Sequence, residues 1–267
     1  MATLVQRNPS FRRSWEVQLR VLGALLMRET LTRYGRHNIG FLWLFVEPII
    51  FTLGVTALWT FSRGLHGSDL PIVAFALTGY SSVLLWRNMP GRCIGALRGN
   101  LALMYHRNVK ILHIYLARVI LEFAGATMSF TALGTLYISL GILAPPQDII
   151  KVVSGWLLLA WFGSALAIFL GALSHRHEIV DKIWHPAAYL LFPLSGSAFL
   201  VAALPPAAQD LVLYIPTVHG VEMLREGWFG SRARAMYDLG YIIPFNMVLT
   251  AVAMLEVRRV ARHVVPE

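Results

Sequence analysis

The chain has 267 residues, of which 57% are hydrophobic and only 14% charged, with a mean hydropathy of +0.60 and a formal net charge of +9. Soluble globular domains carry roughly 25% charged residues, so this balance excludes an ordinary soluble fold and points to an integral membrane protein. In so apolar a chain the positive excess reads as arginine gathered on one face of a bilayer, not as a nucleic-acid surface. Cys93 is the single cysteine, so no disulfide can form within the chain.

The first apolar stretch, 17–27, is short, contains Arg20 and runs into RETLTRYGRH without a small-residue cleavage pattern. It therefore predicts a retained N-terminus and no signal peptide. Around it Trp15, Leu19, Leu22 and Leu26 recur at helical spacing, broadened by Val17, Val21 and Leu25, with Arg13, Glu16 and Arg20 turned away. That pattern predicts a helix either lying in the membrane interface or packed on its neighbours.

Crossing a hydrocarbon core of about 30 Å at 1.5 Å per residue takes about 20 mostly apolar residues. Stretches 40–61, 71–89, 114–143, 152–173, 184–204 and 237–256 qualify, which predicts an all-α polytopic membrane protein with six transmembrane helices. One domain covers 1–267: an interface segment at 1–39, a six-span bundle at 40–256 and a tail at 257–267. Glu47 and Pro48 fall inside the first span. A charge near the bilayer centre costs about 2.5–3.5 kcal/mol, so Glu47 is expected to face a partner, a water-filled path or another subunit. Pro48 removes a backbone donor and can kink the helix.

Arginine and lysine crowd the N-terminal segment, the 87–110 connection (Arg87, Arg92, Arg98, Arg107, Lys110), the 175–182 connection and the tail. Both termini are therefore expected in the cytoplasm. The exception is the 205–236 connection, where Arg225, Arg232 and Arg234 would be outer surface cations offset by Asp210, Glu222 and Glu226. Its apolar runs LVLYIP and VEMLREGWF predict short helices dipping into the outer interface, their backbone covered by protein or water.

None of Lys110, Lys151 and Lys182 follows a glycine, so the chain has no phosphate-cradling G-x-x-x-x-G-K-[ST] loop and cannot be an ATPase itself. His175, His177 and His185 lack carboxylate or thiol companions at metal-ligand spacing, and Ser195 and Ser197 with His219 lack a nucleophile-elbow pattern. Arg118 and Glu122, four apart in the third span, read as an ion pair that lowers their joint insertion cost, or as a gate. Trp43, Trp59, Phe61 and Trp184 suit interface belts. Phe51, Tyr189, Phe192 and Phe199, with Trp59, are candidates to line a sugar path, because an aromatic face stacks on the C–H face of a pyranose.

Three stretches resemble the membrane permease subunit of type-2 ABC exporters for capsular polysaccharide or O-antigen: RETLTRYGRHNIGFLWLFVEP (28–48), HPAAYLLFPLSGSAF (185–199) and IPTVHGVEMLREGWFG (215–230). The R-Y-x-x-x-x-x-G-x-x-W-x-x-x-E-P element is fairly specific, and the V-H-x-x-E-x-x-R-E-G loop, with His219, Glu222 and Arg225, leans toward the capsule branch. The resemblance implies a homodimer in the bacterial inner membrane that exports a lipid-linked polysaccharide. It has no cofactor of its own; ATP and Mg belong to two copies of a separate cytoplasmic ATPase, and periplasmic export proteins are further partners. The polymer path would run between the two permeases along spans one and five, with Glu47 beside it. The interface helix and the 87–110 connection would contact the ATPase, through Arg20, Arg92, Arg98 and Arg107. Alternatives in other classes are an O-antigen, lipid or drug exporter, a secondary transporter or channel, and an intramembrane enzyme.

Overall fold

A computed structural model describes residues 11–34, 70–105 and 109–264, together with positions 46, 49, 50, 52–54 and 56–58, and every regular element among them is helical. Helix α1 (Phe11–Tyr34) is followed by α2 (Ile72–Cys93), a 3-10 segment (Arg98–Tyr105), α3 (Ile111–Ser139), α4 (Ile149–Arg176) and α5 (Ile179–Leu194). Two shorter helices, α6 (Pro206–Val212) and α7 (Pro216–Phe229), lead to α8 (Leu239–Val264). Among the described residues three helices are long and apolar enough to cross a membrane: Ile111–Ser139, Ile149–Arg176 and Leu239–Arg262. The first expected span, with Glu47, Pro48, Phe51 and Trp59, lies largely outside the described residues, as does Arg107.

Helix α4 is the axis of the fold and packs against α2, α7 and α8. Lipid tails are as apolar as leucine, so helices associate in a bilayer by close fit, and small residues permit it. On α4 they recur at Gly155, Gly163 and Gly171, each against a different neighbour. A Cβ on Gly155 would stand 2.7 Å from both the Gly220 carbonyl oxygen and the Leu224 nitrogen of α7, and one on Gly163 would stand 2.9 Å from the Trp86 Cα of α2. Helix α2 is buried without a break from Ala74 to Trp86, the pattern of a helix enclosed on all sides. We expect Gly155→Ala to cost about 1–3 kcal/mol, because backbone must move to admit the methyl. Thermal unfolding of the purified protein checks this against Gly23→Ala, where nothing stands within 4 Å of the added carbon.

The fifth span departs from expectation. The hydropathy pattern extends it over 184–204, whereas α5 begins at Ile179 and stops at Leu194. Gly196, at φ +83°, turns the chain into the left-handed region open to glycine. The Ser195 and Ser197 hydroxyls donate to the Phe192 carbonyl at 2.7 and 3.3 Å, satisfying a helix-end acceptor. Apolar residues beyond the turn are buried instead of extending the helix: Leu200 joins the main core, and Val201 packs with Val212 of α6 and Val218 of α7.

Helix α1 packs on α3. Leu25 is buried and Val17, Val21 and Leu22 are half-buried, while Trp15 and Leu19 stay exposed. The narrower Val17–Val21–Leu25 stripe is thus the packed one, and the Trp15–Leu19 side remains free for an interface.

Candidate functional site

Two polar constellations organise opposite ends of the bundle. At the end where α7 crosses the start of α4, the residues of the V-H-x-x-E-x-x-R-E-G motif recur at i, i+3, i+6 and i+7 along α7. Each fastens a different segment. His219 is held at both ring nitrogens: Nε2 is 2.8 Å from the Leu213 carbonyl, and Nδ1 accepts from the Asp238 N–H at 2.9 Å. Because Nδ1 must accept, the ring is neutral with its proton on Nε2. Glu222 accepts from the N–H groups of Val201 at 3.3 Å and Met236 at 3.0 Å. Burial raises its carboxyl above the usual range, opposed by those bonds and by Arg225.

Arg225 has no exposed surface. Its guanidinium donates to the carbonyls of Gly196, Ser197 and Phe199 and lies 3.8 Å from the centroid of the Phe75 ring. The expectation of an outer surface cation is corrected here: the residue is a buried clamp on the turn that ends α5. The turn presents three carbonyls with no helical partner, and a planar fork of five N–H donors is suited to collect them. Glu226, the last of the stripe, receives the Lys151 ammonium at 2.8 Å and the Tyr237 hydroxyl at 2.7 Å. Those bonds, Lys151 first, hold its carboxyl below the usual range. His219 has both nitrogens engaged and the Ser195 and Ser197 hydroxyls bond the Phe192 carbonyl, so these residues form no nucleophile–base pair.

Burial also lowers the His219 pKa from the ordinary 6.5. Below that value the unfolded chain binds a proton that folded His219 refuses. Its stabilising contribution is therefore complete above pH 6.5 and declines as the pH falls beneath it. We expect the melting temperature to drop between pH 7.5 and 5.5 by more in the wild type than in His219→Gln; equal slopes would contradict this.

At the opposite end, charged side chains tie α1 to the helices behind it. Glu29 of α1 bonds Arg118 of α3 at 2.8 Å, and Arg28 of α1 donates to Asn100. Arg92, at the end of α2, bonds Glu122 at 3.2 Å, while Arg118 also donates to the Arg92 carbonyl. The expected pair between Arg118 and Glu122 is therefore corrected: each takes a partner from another helix, because α1 and the end of α2 both lie across this part of α3. Arg98 bonds Glu178 at 3.3 Å and the Ser174 carbonyl at 3.4 Å, and Glu256 is shared by Arg176 and Arg259. Arg20 is exposed on α1.

Of the expected path residues, Tyr189 is 68% exposed on α5. Phe192 is half-buried edge-on against Tyr80, with ring centroids 6.2 Å apart, and Phe199 packs on the Val201, Val212 and Val218 cluster. Trp184, expected in an interface belt, is buried with Val83 and Trp86. In α5 only Trp184 and Ala188 are buried, so among the described residues most of the helix surface has no partner. Glu29, Asn100, Lys151 and Tyr237 escape sequence reading because their partners lie on other elements; only the α7 stripe carries a local spacing signal.

The profile of the ABC-2 type transporter family matches residues 20–229. The chain is 43% identical over 258 residues to the capsule polysaccharide export inner-membrane protein CtrC of Neisseria meningitidis serogroup B, covering 97% of each chain. It is 38% identical over 258 residues to the capsule polysaccharide export inner-membrane protein BexB of Haemophilus influenzae, again 97% of each. The polysialic acid transport protein KpsM of Escherichia coli is 24% identical over 241 residues, 89% of this chain and 92% of that one. With the family match spanning residues 20–229, which include the His219–Glu226 stripe and the Glu29–Arg118 pair, and relatives aligned nearly end to end, the chain belongs to the ABC-2 type transporter family.

Proposed function

We propose that the chain is the inner-membrane permease subunit of an ABC exporter for lipid-linked capsular polysaccharide, working as a homodimer with two copies of a separate ATPase. The observation that carries this reading is the near full-length match to CtrC and BexB, both named as capsule polysaccharide export inner-membrane proteins. The termini lie in the cytoplasm, following the arginine-rich connections. The end bearing α1 is then the side the ATPase pushes.

Two structural features support the division of labour. Helix α1 is fastened to α3 by the Glu29–Arg118 pair, and α3 to the end of α2 by Arg92–Glu122 and the Arg118 bond to the Arg92 carbonyl, so force on α1 reaches the bundle. Helix α5, mostly uncovered, suits a wall of a path completed by a second copy, since a two-fold pair opens a channel without emptying either core. Of the described aromatic residues of α5, Tyr189 is the most exposed and so the best placed to meet sugars. Reconstitution with the ATPase in proteoliposomes tests the reading. Capsular glycolipid should stimulate hydrolysis and be carried across only when both proteins and ATP are present. Equal stimulation by phospholipid alone, or delivery without the ATPase, would overturn it.

A further inference from the structure

A crevice of about 290 Å³ lies between α2 and α5 toward the end that carries α1, lined among others by Arg87, Asn88, Arg92, Trp184, His185 and Tyr189. Among the described residues no aspartate or glutamate belongs to its lining. Arg87 is half-buried, with its guanidinium carbon 5.3 Å from the centroid of the Tyr189 ring. Its neighbours in the fold are matched: Arg92 with Glu122, Arg98 with Glu178, Arg118 with Glu29 and Arg176 with Glu256. Among the described residues no carboxylate pairs with Arg87. A cation at membrane depth is costly unless it finds a counter-charge or water. An arginine stacked on an aromatic ring keeps its in-plane N–H donors for an anion, and the guanidinium fork matches phosphate bidentately. Tryptophan and tyrosine are the side chains that sit at headgroup level, and basic pockets between membrane helices accept anionic headgroups.

We propose that this crevice seats the phosphate of an anionic lipid headgroup, held by Arg87 with His185 and Asn88 beside it. The inference goes beyond export and does not depend on it, since binding is read on the purified chain with neither ATPase nor polymer. Native mass spectrometry of the detergent-purified protein, offered equal phosphatidylglycerol and phosphatidylcholine, provides the test. The wild type should retain phosphatidylglycerol preferentially, and Arg87→Ala should lose that preference by about five-fold, the size of one basic contact. Arg87→Lys, which keeps the charge without the fork, should fall between them and guards against an unfolded alanine variant. Arg258→Ala removes an exposed cation on α8 and should bind as the wild type does. Millimolar inorganic phosphate should leave the lipid bound. Equal retention of the two lipids by the wild type, unchanged retention by both Arg87 variants, or displacement of the lipid by inorganic phosphate would overturn the proposal.

Discussion

Arg225→Met is expected to cost about 3–5 kcal/mol and to deplete folded protein from the membrane, as breaking a buried ion pair from one side does. The guanidinium is wholly buried, supplies donors to three carbonyls of the Gly196–Phe199 turn and covers the Phe75 ring. Its removal leaves those carbonyls without partners and leaves Glu222, also fully buried, without its counter-charge. The two losses can be told apart. Arg225→Met with Glu222→Leu restores charge balance, yet strands the carbonyls and also the Val201 and Met236 N–H groups, at about 1–3 kcal/mol each. The double variant should therefore melt no higher than the single one; recovery would mean that charge, not backbone satisfaction, is what Arg225 supplies. Arg225→Lys should rescue little, because a point charge cannot reach three acceptors and lie flat on a ring. Membrane levels and thermal unfolding of the purified variants decide the matter, and a normal melting temperature in Arg225→Met would refute the clamp.

Reversing the charge of Glu29 or of Arg118 should cut ATP-driven export by about tenfold while the permease still inserts, and exchanging the two should restore most of it. Their side chains are only 24% and 21% exposed and lie 2.8 Å apart, which places the pair between a free surface bridge and a buried one. Arg118 also reaches the Arg92 carbonyl and Arg92 bonds Glu122, so displacement of α1 is passed to the ends of α2 and α3. Glu29→Arg sets two guanidinium groups together and loosens the joint; the swap rebuilds it with inverted sign. Export and ATP hydrolysis measured together in proteoliposomes separate coupling from assembly. Single reversals that export normally, or a swap no better than either of them, would show that force does not pass through this pair.

These residues also mark what could be read from the chain alone. Its apolar runs set the helical class and the approximate positions of α2, α3, α4 and α8, because the bilayer demands length and hydrophobicity that are local properties of the sequence; the lack of a glycine before any lysine is equally local and excludes a phosphate-cradling loop. The stripe His219, Glu222, Arg225 and Glu226 was legible as a motif by its helical spacing. Its purpose was not: Arg225 counts as a surface cation until the fold brings the turn after α5 over it. Likewise Arg118 and Glu122 are natural partners on one helix, and only the crossing of α1 and the end of α2 gives each a different one. Hydropathy is written along the chain and fixes which segments enter the membrane. The pairing of a polar side chain depends on which groups packing brings within about 3 Å, and that distance is set by tertiary structure.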